Sequence, residues 1–178
     1  MKTRRTSLIL MMAGFFGLAG LMRLGGLMVN TSDSIPKGLY RQTPATADLK
    51  NKWVLVCPDN RPLFKLALAR AYLKAGLCPG GYGYLMKKVV ATAGDVVSST
   101  AAGIVVNKNH LPFSKPHAVD GLHRALPQWR VVNYQLKPDE VLLMTSQSAW
   151  SFDSRYFGLL NRQEIKSELT ALLTWPLA

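Results

Sequence analysis

The stretch Tyr84–Asp95, YLMKKVVATAGD, sets two lysines side by side inside an apolar run that ends in a Gly-Asp turn. Valines and large apolar residues at this density favour a strand. Side chains alternate along a strand, so Leu85, Lys87 and Val89 point to one face and Met86, Lys88 and Val90 to the other. One lysine of the pair must then face an apolar surface unless both faces of the sheet are wet. Desolvation there disfavours the ammonium and lowers its pKa, which a lysine needs in order to act as a general base near neutrality.

Similar short runs lie on both sides: WVLVC (Trp53–Cys57), DVVS (Asp95–Ser98), GIVV (Gly103–Val106), VVNYQL (Val131–Leu136) and EVLLMT (Glu140–Thr145). Turn residues separate them, which predicts a mainly β domain, an antiparallel sheet or barrel. One helix interrupts it. PLFKLALARAYLKAG, Pro62–Gly76, has Pro at a first-turn position and Gly at its end. CPGGYGY, Cys78–Tyr84, reads as a turn, since it lacks the Gly-Lys-Ser/Thr ending of a phosphate loop. Leu111–Gln128, rich in Pro and Gly, reads as a loop holding His117 and His123, with His110 just before it. Near the end, Asn161 and Glu164 have capping-box spacing, while Leu169, Ala171, Leu173 and Trp175 alternate, so a short helical turn should lead into a strand.

The N-terminus differs in kind. Lys2, Arg4 and Arg5 precede the uncharged run SLILMMAGFFGLAGLM, Ser7–Met22, and apolar residues resume after Arg23 as far as Val29. This approaches the roughly 20 residues needed to cross a bilayer. The basic residues before the run should remain in the cytoplasm, placing the rest of the chain on the far side, in a bacterium the periplasm. MRLGGLMVNTS offers no small-x-small cleavage site, so residues 1–29 read as an uncleaved anchor and 30–178 as the exported domain. That domain is basic, with 18 Lys and Arg against 10 Asp and Glu. In an oxidising compartment Cys57 and Cys78 either pair or stay as buried thiols. A bridge closing about 20 residues would add roughly 3 kcal/mol.

The search for chemistry removes several classes. There is no H-E-x-x-H, G-x-S-x-G or C-x-x-C, and the histidines have no metal-ligand spacing, so neither metal nor cofactor is expected. The basic residues are dispersed and no nucleic-acid-binding signature appears, so no nucleic-acid partner is expected. Two stretches remain beside the lysine pair. NTSDSIPKGLY, Asn30–Tyr40, places Ser34 before an Ile-Pro-Lys-Gly bend, with Ser32 two residues earlier. SFDSRYFG, Ser151–Gly158, mixes Ser151, Asp153, Ser154 and Arg155 with aromatics.

Together and in this order, Ser34 just beyond a membrane segment, Lys87 opening a basic pair and DSRYFG at Asp153–Gly158 resemble the signal peptidase I clan of membrane-anchored Ser/Lys proteases. Within the clan, NTSDSIPKGLY and CPGGYGYLMKK are most similar to the peptidases that mature conjugal pilin. Two departures set the chain apart from housekeeping members: Ile35 stands where those have Met, and TSQSAW, Thr145–Trp150, replaces their G-D-N-R-D run. Their large second β domain would not fit this length either.

The resemblance implies a signal peptidase fold behind an N-terminal transmembrane helix in the bacterial inner membrane, with the conjugal pilin precursor as substrate. It implies Ser34 as nucleophile and Lys87 as general base. The Ser34 backbone N–H and the Ser32 hydroxyl would stabilise the oxyanion, and Ser151 would orient Lys87. Asp153 and Arg155 would hold that wall, with Asp153 either catalytic or structural. The acyl-enzyme would pass to water, or to an amine that closes the pilin into a circle. Two other readings stay open, a minor signal peptidase with many exported substrates and a non-enzymatic part of the mating channel.

Overall fold

The structure, a computed structural model, describes Met11 and residues 25–175. Nearly all of the expected anchor lies outside these residues, and among the described residues no helix is long and apolar enough to cross a membrane. In chain order the elements are β1 Leu27–Asn30, β2 Gly38–Thr43, β3 Trp53–Val56, α1 Pro62–Ala69, β4 Leu85–Ala91, β5 Val96–Thr100, β6 Gly103–Val106, β7 Asn109–His110, β8 Val131–Gln135, β9 Glu140–Met144, α2 Ser154–Phe157, β10 Leu160–Asn161 and β11 Ile165–Thr174.

All strand pairs are antiparallel. One sheet runs β1-β2-β11-β3-β4-β9-β10 and a smaller one β7-β6-β5-β8. Both have free ends, so main-chain pairing among the described residues closes neither into a barrel. Strand pairing also begins earlier than the expected domain start at Asn30. Leu27, Met28 and Val29 pair with Arg41, Tyr40 and Leu39, so these three residues belong to the sheet.

β4 is the strand that positions the site. Leu85, Lys87, Val89 and Ala91 are buried and the residues between them half-buried, the alternation of a strand with one face on a core. Lys87 stands opposite Val54 of β3, and Lys88 lies between Trp53 and Met144. A core of Val54, Val56, Phe64, Tyr82, Leu143 and Phe157 fills one face of the large sheet under α1 and α2. On the other face Ile35, Tyr40, Leu55 and Leu169 form a smaller cluster beneath the Ser34 turn.

The helix is shorter than the Pro62–Gly76 pattern predicts. α1 starts at Pro62 but ends at Ala69, and Ala71 takes φ 59°. Chain return overrides the helical pattern: Ala75 bridges Tyr82, and Gly83 N–H donates to Lys74 O at 2.7 Å. The backbones pass so close that a Cβ on Gly76 would lie 2.5 Å from the Gly83 Cα. Cys57 and Cys78 are joined by a disulfide with Cα atoms 5.5 Å apart, fastening this return to the end of β3. Near the C-terminus Asn161 and Glu164 form a reciprocal capping box on a turn of 3-10 helix that runs directly into β11.

Candidate active site

Ser34 sits in the turn between β1 and β2, and one buried side chain organises that turn. Asn30, only 2% exposed, donates from Nδ2 to the carbonyls of Ser32 (3.0 Å), Ile35 (2.9 Å) and Pro36 (3.1 Å). Its Oδ1 accepts from the Ser32 backbone N–H at 3.0 Å and the Ser32 hydroxyl at 2.7 Å. From below, Tyr40 donates its hydroxyl to the Pro36 carbonyl at 2.6 Å, and the Ile35 side chain is buried against Tyr40, Leu55 and Leu169. With Ile35 anchored in the sheet, its neighbour Ser34 is left half-buried at the edge of a cavity.

Lys87 reaches the same cavity from β4. Its Nζ lies 2.9 Å from Ser34 Oγ and 2.6 Å from Ser151 Oγ, and the residue is 2% exposed. Burial lowers its pKa from 10.5 to about 8, opposed by the Asp153 charge and assisted by that of Arg155. A lysine with this pKa spends an appreciable fraction of its time as a free amine near neutrality, able to accept a hydroxyl proton.

The DSRYFG stretch builds the wall behind Lys87. Asp153 caps α2 by accepting the Arg155 N–H, and the Arg155 guanidinium forks onto its carboxylate at 2.7 and 2.9 Å, both residues being fully buried. Arg155 also donates to Ala149 O at 2.7 Å, which holds the segment leading into Ser151. Ser154 Oγ accepts the Leu143 N–H at 2.9 Å and ties α2 to β9. Gly158 (φ 74°) packs so near Trp129 that a Cβ would lie 2.9 Å from its ring.

Of the residues singled out in the sequence, Ser34, Lys87 and Ser151 are brought into direct contact. Asp153 is turned to Arg155, makes no hydrogen bond to Lys87 or Ser34, and reaches Lys87 through its charge. The Ser32 hydroxyl is engaged with Asn30. Asn30 itself escaped notice, although Asn before Thr-Ser is an Asx-turn signal. Beside the Ser34 cavity, a groove of about 260 Å³ runs between Asn30–Ser32 and Gly83–Met86. The strands flanking it offer unpaired main chain: β1 is the end of its sheet, and β4 pairs with β9 only from Lys88 onward.

The family model described as signal peptidase, peptidase S26 matches residues 8–175. The chain belongs to the signal peptidase S26 family. Its similar relatives within curated proteins include a plasmid transfer protein TraF of Escherichia coli, 44% identical over 158 residues covering 89% of each chain. A conjugal transfer protein TraF of Agrobacterium fabrum is 35% identical over 153 residues, covering 81% of this chain and 85% of that protein. Among solved structures, a signal peptidase I from Enterococcus faecalis aligns with a TM-score of 0.41 at 11% identity, over 72% of this chain and 100% of that one. As a member of the S26 family the chain is a signal-peptidase-like serine peptidase.

Proposed function

We propose that this S26 peptidase is the pilin-processing endopeptidase of a conjugal transfer system, working through an acyl-enzyme on Ser34 with Lys87 as general base. The observation that carries the mechanism is the 2.9 Å approach of a buried, pKa-lowered Lys87 Nζ to Ser34 Oγ. Neutral Lys87 takes the hydroxyl proton as Oγ attacks the scissile carbonyl, and Ser151 holds the resulting ammonium in place. Collapse of the tetrahedral intermediate breaks the C–N bond, and Lys87 returns the proton to the departing amine. The Ser34 backbone N–H and the Ser32 hydroxyl, once released from Asn30, stabilise the oxyanion. Water then hydrolyses the acyl-enzyme, or the pilin's own amino terminus attacks it and closes a circle.

The conjugal role is supported by the TraF relatives named as plasmid and conjugal transfer proteins. The basic start and apolar run of residues 1–29 support an inner-membrane anchor with the catalytic domain in the periplasm. Mass spectrometry of pilin tests the reading. Cells carrying Ser34→Ala or Lys87→Ala should accumulate unprocessed precursor. Mature pilin in the Ser34→Ala strain would overturn it, and loss of processing across many exported proteins would assign a broader signal peptidase role.

A further inference from the structure

A second cavity, about 340 Å³, has a lining that differs from that of the groove between Asn30–Ser32 and Gly83–Met86 except at Tyr72. Its walls are Tyr72, Trp150, Phe152 and Tyr156, with Gly121 and Leu126 from the Leu111–Gln128 loop. It adjoins the Ser34–Lys87 cavity, with which it shares Tyr72, Trp150 and Phe152. Tyr72 borders all three spaces.

The chemistry fixes the direction of a substrate through them. The proton on Lys87 must reach the leaving amine, so that amine lies against Lys87, whose Nζ also contacts Ser151 Oγ at 2.6 Å. Trp150 and Phe152 flank Ser151 in sequence, and both line the aromatic cavity. The acyl portion stays bonded to Ser34, which lines the groove beside Asn30–Ser32.

The cavity's one carboxylate is already occupied. Asp120 accepts from the Leu122 and Arg124 backbone N–H groups at 2.9 Å each, from Arg124 Nε at 2.6 Å, and from the Tyr72 hydroxyl. It has no lone pair directed to a cationic ligand, so what remains is aromatic and apolar surface. The walls are preformed: the Tyr72 and Phe152 rings lie 5.5 Å apart, Phe152 and Tyr156 stack at 5.8 Å, and Trp150 stacks on His117 at 3.8 Å.

We infer that this cavity is a leaving-side subsite that takes a large apolar side chain, such as Leu, Met or Phe, from one of the first three residues after the scissile bond. The inference rests on the peptidase reading above, and the experiment separates the two. The full-length protein in detergent micelles is incubated with a proteome-derived peptide library, and cut sites are read by mass spectrometry with Ser34→Ala as the blank. The wild type should enrich large apolar residues about tenfold at one fixed leaving-side position, the discrimination an apolar pocket provides. Trp150→Ala, at a residue 67% exposed and therefore safe for folding, should flatten that enrichment. Gly121→Trp, at a site where an added Cβ meets nothing within 4 Å, should fill the cavity and shift the position toward Gly and Ala. Acyl-side preferences should survive both changes. A flat leaving side in the wild type, or a preference that neither variant alters, sinks the subsite while leaving the peptidase intact. Absence of Ser34-dependent cutting in the wild type removes both.

Discussion

The two halves of the active site are held by different kinds of contact. On the nucleophile side, Asn30 and Tyr40 fix the Ser34 turn through hydrogen bonds that span only two to six residues. On the base side, Lys87 meets Ser34 across 53 residues and Ser151 across 64, inside a fully buried ion-paired wall. Local sequence thus presents the hydroxyl, whereas long-range packing creates the base. A turn of this kind changes geometry by small amounts when a tie is cut. A buried charged wall responds as a unit, because losing one partner strands another.

Substitutions on each side test that contrast, and the largest effect belongs to Lys87. Lys87→Met should abolish processing, by about four orders of magnitude or more, since the nucleophile loses its adjacent base. The same change should stabilise the domain below pH 8. Wild-type Lys87 has a folded pKa of about 8 against an ordinary 10.5, so the unfolded chain holds the extra proton between these values. Stability therefore rises with pH across that window and is penalised in full below it, by roughly 3 kcal/mol. Urea unfolding at pH 6 and 9 should show about 1.4 kcal/mol of that penalty relieved in the wild type and the loss of this rise in Lys87→Met. Activity of the wild type should rise through about pH 8 as the amine becomes free.

Asp153→Ala comes next. It leaves the buried Arg155 unpaired and should destabilise the domain by about 3–5 kcal/mol, read by the same unfolding titration. An unchanged midpoint would mean that the wall is not held by this pair. Asn30→Ala, on the opposite side, should leave the fold standing with a cost of about 1–3 kcal/mol, while lowering kcat some 10- to 100-fold through a displaced Ser34. If kcat is preserved, the turn is fixed by Ile35 and Tyr40 alone. Lys88→Ala should do least, within about 0.5 kcal/mol and twofold in processing, since it stands on the opposite face of β4.

Much of this was legible in the chain. Alternation along Leu85–Ala91 put Lys87 and Lys88 on opposite faces, the family resemblance chose Lys87 as the base, and the sheet buries that one. The capping box at Asn161–Glu164 and the strand after it were written in adjacent residues, and the structure contains both. Other features were not legible. The pattern from Pro62 to Gly76 is helical by propensity, yet the chain turns at Ala71, because the return through Gly76 and Gly83 and the Cys57–Cys78 link are tertiary constraints. Leu27–Val29 share the apolar character of the segment before them, and only pairing with Leu39–Arg41 distinguishes a strand from more of the same run.

Sequence by itself determined the mainly antiparallel β architecture, the Ser34 turn, the separation of Lys87 and Lys88 onto opposite faces of β4 and the family, because each rests on periodicity or on motifs a few residues long. Tertiary structure alone decided that Lys87, Ser34 and Ser151 meet within hydrogen-bond distance, that Asp153 answers Arg155 rather than Lys87, and that Tyr72, Trp150 and Phe152 leave a cavity beside them. The Lys87 contacts join residues 53 and 64 positions apart, and the fork of Arg155 onto Asp153, though local, is settled by the burial of both side chains. Their distances depend on how the sheet twists and what packs behind it, which no local pattern encodes.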